Sequence, residues 1–459
     1  MTLQKFTFKA ILFTSETLYK YRDIMGTVQR LGKIAKYFVK PGKNILAHTK
    51  PQPAEFFTCA MKDGALTRET QAALGDASLF VENLLKKQQP AAKQEVLALF
   101  NNLGSVKTIQ NRPKGALSIE TKLIRGLKKA DNQTFTSMND AVGCIEDGIG
   151  SRVITRTLDK LSKSQIDKMI SAQNLSKEDA ILLRKYIYQE AVPPHEVDKA
   201  FTLFEEFARP LVEARSKEVV DQLTLGILKN RIINNKTTLQ ELENSGLFRD
   251  DIIKRLSSED ILPINITEIN NYRGPHGLAE FSNNQIRQLA MALGEDSGVV
   301  IISDARGLSG RWPAEQIEKL SSKSIKNSGY RTAQINVVHQ NGALGEIQFR
   351  GEHTNMIGEY EHIAYDLRQD KNTLGEMFEP FSVAVKGLSK EEYNIYNQYL
   401  ESCYNYYNRI ELGLPAIKPK LPRQLPKVLS EESMKALHDT DHALQKELEK
   451  DFVRYFEAA

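Results

Sequence analysis

Five runs rich in Ile and Val constrain the fold of this chain more than any other property. They are the β-branched part of GIGSRVITRT at 150–156, ILPINITEI at 261–269, GVVIIS at 298–303, AQINVVHQ at 333–340 and LGEIQFR at 344–350. Such short runs bounded by polar residues read as strands, and Asn341-Gly342 between the last two marks a hairpin turn. Between the first and second runs, residues 157–260 are helical in pattern, with start signals at Ser162, Ser176 and Ser257. Five strands suffice for one sheet with helices around it, so the expected class is α+β with a mixed β-sheet. A hydrophobic content of 41% is ample for the core this requires.

Around that sheet the chain divides by pattern. Residues 1–105 read as a helical N-terminal module: apolar residues recur at helical spacing from Ser15 to Phe38, stop at Pro41-Gly42, and resume over 66–103. Residues 106–156 carry a basic loop, a helix and a strand, and 261–390 return to strands, with 157–260 as a helical insertion. Residues 391–459 read as C-terminal helices with an extended, Pro-rich basic linker at 415–427 that contains Lys418, Lys420 and Arg423. Over 390–410, Tyr393, Tyr396, Leu400, Tyr404 and Tyr407 fall at three- and four-residue steps, one stripe on a helix.

Sixty-two basic against 58 acidic residues leave a formal charge of +4, too small over 459 residues to argue for nucleic acid or membrane binding by global charge. Anionic ligands must be held by local clusters. The cysteines Cys59, Cys144 and Cys403 have no ligand-type spacing, which suits a reducing compartment and argues against a zinc site. The N-terminal apolar run is too short for a signal peptide and no stretch reaches a membrane span. A cytoplasmic location is the expectation, with export as an effector or toxin by another route left open.

Several short polar segments carry the parts needed to grip a nucleoside triphosphate. Arg112 and Lys114 are expected to project from a loop, with Ser118 opening a helix and Lys122 one turn later on the same side. Asp147 precedes the strand that contains Arg152, and Glu346 opens another; strand-end carboxylates suit Mg²⁺, a hard cation shared with phosphates. On a strand Glu346, Gln348 and Arg350 share one face, and Gly329 leaves Tyr330 free to present its ring to a base. Each segment alone is commonplace.

Taken together, their order and spacings resemble the synthetase domain of the RelA/SpoT family of alarmone synthetases. The family pattern Arg-Pro-Lys, then Ser-Ile, then Lys is matched by Arg112, Pro113, Lys114, Ser118, Ile119 and Lys122. Its Asp followed five residues later by Arg is matched by Asp147 and Arg152, its Asn-Gly-Tyr loop by Ser328-Gly329-Tyr330, and its Glu-Ile-Gln-Ile-Arg strand by EIQFR. Glu361-His362 sit where small synthetases carry Glu-His. The segment EINNYRGPHG at 268–277 resembles the family's strand leading into a Pro-containing loop, but Gly329-Tyr330 arrives some fifty residues later. Two positions depart from the pattern: Ser328 replaces the Asn, and Gln334 replaces a His four residues after the Tyr.

The resemblance implies a nucleotidyltransferase-like core and a Mg²⁺-dependent pyrophosphokinase that moves the β,γ-pyrophosphate of ATP to a ribose 3′-hydroxyl. It would place Arg112 and Arg152 on either side of the adenine, Lys114, Ser118 and Lys122 on the phosphates, and Asp147 and Glu346 on the metal. Glu346 would also take the hydroxyl proton. Tyr330 would stack on the acceptor base, with Gln334, Gln348 and Arg350 lining the same cleft. The implied partners are ATP and a guanine nucleotide, GDP or GTP. Adenine nucleotides or the 3′ end of tRNA are the alternative acceptors, since both departures fall on the acceptor side, and a catalytically silent nucleotide-binding module is a further alternative. Eight histidines, with only His438-Asp439 and His442 grouped, supply no His-Asp hydrolase site. Synthesis without degradation then implies a neutralising or regulatory partner, or control by the terminal helices.

Overall fold

The computed structural model describes residues 59–60, 67–130, 134–135, 138–303, 324–358, 361 and 390–420. The helix expected over 15–38, most of the C-terminal linker, the final helix, His362 and the His438–His442 group lie outside the described residues, as do the side chains of Tyr393 and Tyr396.

Among the described residues, six strands form one mixed sheet: β1 (Val106–Pro113), β2 (Ile149–Thr155), β3 (Ile266–Tyr272), β4 (Val300–Ile302), β5 (Thr332–Val338) and β6 (Leu344–Gly351). Their order across the sheet is β1-β2-β6-β5-β3-β4. The pairs β2/β6 and β3/β4 are parallel, and β1/β2, β6/β5 and β5/β3 are antiparallel. The helices are α1 (Arg68–Phe100), α2 (Ala116–Lys129), α3 (Met138–Val142), α4 (Lys163–Ser171), α5 (Lys177–Ile187), α6 (Val197–Ile233), α7 (Leu239–Ser245), α8 (Asp250–Ser258), α9 (Asn283–Leu293) and α10 (Lys390–Glu411). None of them is long and apolar enough to cross a membrane.

Three details differ from the sequence-based expectation. Residues 106–113 form an edge strand rather than a loop, so Arg112 is carried by a strand; pairing with β2 stabilises a segment too polar to announce itself, and Pro113 is tolerated at its end. The second run yields strand only from Ile266, because Pro263 has no N–H to give a ladder and Ile264 N donates instead to the Gly226 carbonyl at 3.0 Å. Ser257 ends a helix instead of starting one: α8 begins at Asp250-Asp251, two carboxylates at the positive end of the helix dipole. Ser162 and Ser176 do cap α4 and α5, each accepting from the backbone N–H three residues on. At the β5–β6 hairpin Gly342 takes φ +80°.

One face of the sheet is apolar. Val153, Phe349, Ala333, Ile335, Ile347 and Ile269 are buried there against α1, α9 and the second half of α6. Phe349 sits at its centre, edge-on to Phe100 at 5.5 Å and tilted against Phe281 at 5.4 Å. Because α6 supplies Val219, Val220 and Leu223 to this core, the 157–260 segment forms one wall of the sheet's own interior. Its other half packs with α4 and α5, and α2 packs on α1 through Ile119, Leu123, Ile124 and Leu127.

The fifty-residue interruption before Gly329-Tyr330 closes on itself. Arg273 N donates to the Ser324 carbonyl at 3.1 Å and Lys326 N to the Arg273 carbonyl at 2.8 Å. A Cβ on Gly274 would lie 2.8 Å from Gly329 Cα, so the two backbones meet because residue 274 has no side chain. The Pro-containing loop and the Gly-Tyr loop are therefore neighbours in space despite the residues between them.

Candidate functional site

Residues paired across a sheet share a face, and residues two apart on a strand share it too. The registers therefore define the face opposite the apolar core. One rung reads Arg112, Gly150, Glu346, Asn336, Glu268; the next reads Gln110, Arg152, Gln348, Gln334, Asn270; a third holds Arg350, Thr332 and Tyr272. Over these rungs the second face is polar from β1 to β3 apart from Ile154, and ends in Val300 and Ile302 on β4. Asn270 Oδ1, Asn336 Oδ1 and Gln348 Oε1 on it are buried and have no hydrogen-bond partner. Each such oxygen costs about 1–3 kcal/mol, a penalty that ligand donors would remove.

At the β1/β2 edge, Arg112 and Arg152 lie diagonally across two antiparallel strands, with Arg112 exposed and Arg152 half-buried. Diagonal neighbours stand about 7–8 Å apart, close to the roughly 7 Å that a flat ring in contact at about 3.5 Å on both sides requires. Gly150 is directly beside both on the same face, and a Cβ there would meet nothing nearer than the Arg112 carbonyl oxygen at 3.9 Å. Gly150 thus leaves open space on the sheet face between the two arginine positions.

Asp147 stands immediately before β2 and binds two ammoniums, Lys114 Nζ at 2.8 Å and Lys122 Nζ at 2.5 Å. Lys114 is placed by its own N–H, which donates to the Gly148 carbonyl at 2.8 Å, and Lys122 by the second turn of α2. Burial alone would raise the Asp147 pKa, but Lys122 and Lys114 together outweigh it and hold the carboxyl below its ordinary value. Burial lowers the Lys114 pKa, with Asp147 opposing. Ser118 is exposed, one turn before Lys122. The N-terminus of α2 is occupied by Glu82 of α1, whose carboxylate accepts from Ala116 N at 3.2 Å.

Glu346 is raised above the usual carboxylate range, first by burial and next by the Asp147 charge. It accepts a hydrogen bond from Gln348, two residues on along the same face. Asp147 and Glu346 are therefore close enough to repel. Among the described residues no three His, Cys, Asp or Glu groups form a metal cage. Two carboxylates sharing one charge problem are nonetheless the donor set Mg²⁺ takes when substrate phosphates complete its shell. The residues present fit that ion.

Tyr330 forms the third cluster. Its hydroxyl accepts from Arg350 at 2.7 Å and from Gln334 at 2.9 Å, and the Arg350 guanidinium lies 5.2 Å from the ring centre. Tyr272 and Tyr404 pack on it at 6.0 and 6.3 Å. Burial pushes its pKa up to about 12. Ser328 donates to Glu361 at 2.9 Å, so a residue that departs from the family pattern meets half of the Glu-His pair.

The structure thus brings Lys114, Lys122 and Asp147 together, places Glu346 with Gln348, and gathers Tyr330, Gln334 and Arg350. Ser118 reaches none of these groups. Gly150, Asn336, Asn270 and Glu82 were not singled out from the sequence. Their places depend on strand pairing and helix packing over long separations, which leave no local signal. No protein-family model matches this chain, and no curated protein or solved structure matches it.

Proposed function

We propose that the polar face of the sheet is the active site of an ATP:nucleotide 3′-pyrophosphokinase on a nucleotidyltransferase-like core. The observation that carries the reading is the proximity of Asp147 and Glu346, with Lys114 and Lys122 on Asp147 and two arginines at diagonal positions of adjoining strands. On one side stands a grip for adenine and phosphates. On the other stands an aromatic cluster around Tyr330 for the acceptor base.

In this reading the adenine lies between Arg112 and Arg152 over Gly150, and Lys114, Lys122 and Ser118 bind the phosphates. Asp147 and Glu346 hold Mg²⁺, which when bound neutralises charge on the phosphates. The acceptor 3′-oxygen forms its bond to the β-phosphorus while the bond from that phosphorus to the α,β-bridging oxygen breaks. AMP leaves with that oxygen, and the hydroxyl proton passes to Glu346. Apart from this proton transfer, the catalysis is positioning and charge neutralisation. GDP or GTP is the proposed acceptor.

The test is AMP release from ATP and Mg²⁺ with GDP, GTP, ADP or deacylated tRNA offered separately, using Asp147→Ala and Glu346→Ala as controls. AMP formed with a guanine nucleotide and lost in both variants supports the reading. Activity only with ADP or tRNA moves the acceptor to the alternative class, and nucleotide binding without AMP from any acceptor sinks the enzymatic reading.

A further inference from the structure

The tyrosine-bearing helix α10 is a feature of the sequence that the proposed chemistry leaves unused. One of its faces, Glu401, Tyr404, Asn408 and Glu411, recurs at steps of three and four residues. That face meets Gly329, Tyr330 and Arg331 in chain order. A Cβ on Gly329, which takes φ +77°, would lie 2.6 Å from Glu401 Cα, so the loop backbone rests on the helix itself. Tyr404 is edge-on to the Tyr330 ring at 6.3 Å. Arg331 donates to Asn408 Oδ1, and its guanidinium stands 3.7 Å from Glu411.

The same helix reaches the neighbouring Pro-containing loop, where Glu401 accepts from His276 N at 3.4 Å. Strand pairing does not do this work. The ladder of β5 begins at Thr332, so Gly329, Tyr330 and Arg331 precede its regular pairing. Arg331 is 2% exposed, and its second anchor, Glu280 at 3.1 Å, comes from the segment leading into α9. The backbone that carries Tyr330 is thereby backed by a helix some seventy residues later, while Gln334 and Arg350 hold its hydroxyl from the sheet.

We propose that α10 is the positioning element of the acceptor half of the site, with Asn408 the positioning residue that sets Tyr330 through Arg331. This rests on the assignment of Tyr330 to the acceptor. It goes beyond that assignment in giving acceptor affinity, separately from ATP affinity, to a helix that touches neither nucleotide.

The experiment is equilibrium binding by calorimetry to the full chain, using α,β-methylene-ATP as one probe and GDP, GTP, ADP or deacylated tRNA as the others, with thermal unfolding measured in parallel. The variants are Asn408→Leu, which removes the acceptor oxygen at similar size, and Ser402→Ala on an exposed face of α10 as control. Asn408→Leu is expected to weaken the acceptor about tenfold, a change of about 1.4 kcal/mol, while the ATP analogue and the control stay within about twofold. Asn408→Asp, which keeps an oxygen facing Arg331, is expected to recover most of the acceptor affinity. Equal weakening of both ligands, or none, with the wild type binding both, overturns the positioning role alone. A wild type that binds neither nucleotide overturns the proposed function and this inference with it.

Discussion

Glu346 and Asp147 are close enough for one charge to act on the other, yet their pKa values are displaced in opposite directions, and each direction has its own consequence. The folded state holds the Glu346 proton more tightly than the unfolded chain does. Above the ordinary carboxylate value the native state therefore binds more protons than the unfolded one, and stability falls as pH rises through that window. For Asp147 the sign reverses: its contribution is present above its ordinary value and is lost as the pH falls toward its lowered folded value. Glu346→Gln is thus expected to abolish AMP formation, by about 10²–10⁴-fold, while raising the melting temperature at neutral pH. AMP formation by the wild type should fall as the medium is acidified, because Glu346 must be deprotonated both to hold Mg²⁺ and to accept the hydroxyl proton. A melting temperature lowered by Glu346→Gln would contradict the burial argument, and a flat acid limb would remove Glu346 as base.

At the scale of elements, the β1/β2 ladder carries the proposed base-binding slot and α10 backs the Gly329-Tyr330 loop. The slot depends on an absence of side chain at Gly150, which has no positive φ and open space where a Cβ would stand. A β-branched residue suits a strand, so Gly150→Val is expected to fold at least as stably as the wild type. The new methyl groups would occupy the floor between Arg112 and Arg152, and affinity for α,β-methylene-ATP should fall about tenfold or more, about 1.4 kcal/mol per decade. Unchanged ATP affinity in a folded Gly150→Val protein would place the adenine elsewhere. The polar edge strand that carries Arg112 escaped the sequence reading because VKTIQNRP has few apolar residues. Its strand character is supplied by its partner. The hairpin at Asn341-Gly342 and the shared face of Glu346, Gln348 and Arg350 were legible because turn chemistry and the two-residue period are local.

Across the whole molecule, four buried charges join segments far apart in sequence. Arg215 of α6 binds Glu280 at 2.5 Å and Glu411 at 2.6 Å, and Arg331 stands 3.1 Å from Glu280. Thr354 N donates to Glu411 at 2.6 Å, which adds the segment after β6. All four side chains are at most 2% exposed, and their formal charges cancel. Removing one leaves an uncompensated buried charge, so Arg215→Ala is expected to cost about 3–5 kcal/mol, measured by denaturant unfolding at neutral pH. Because the cluster includes Arg331, a smaller loss of acceptor affinity should accompany it in whatever fraction stays folded. An unfolding free energy within about 1 kcal/mol of wild type would show that the cluster contributes little beyond its own desolvation cost.

The sequence by itself determined where most strands and helices run, which turn joins β5 to β6, and which polar residues share a strand face. These follow from backbone periodicity and turn chemistry over a few residues. Only the tertiary structure decided that Arg112 is a strand neighbour of Gly150 and Arg152, that Gly274 meets Gly329 across a fifty-residue excursion, and that Arg215, Glu280, Arg331 and Glu411 form one cluster. Pairing of that kind is selected by burying the apolar face around Phe349 as a unit, a choice spread over the whole chain.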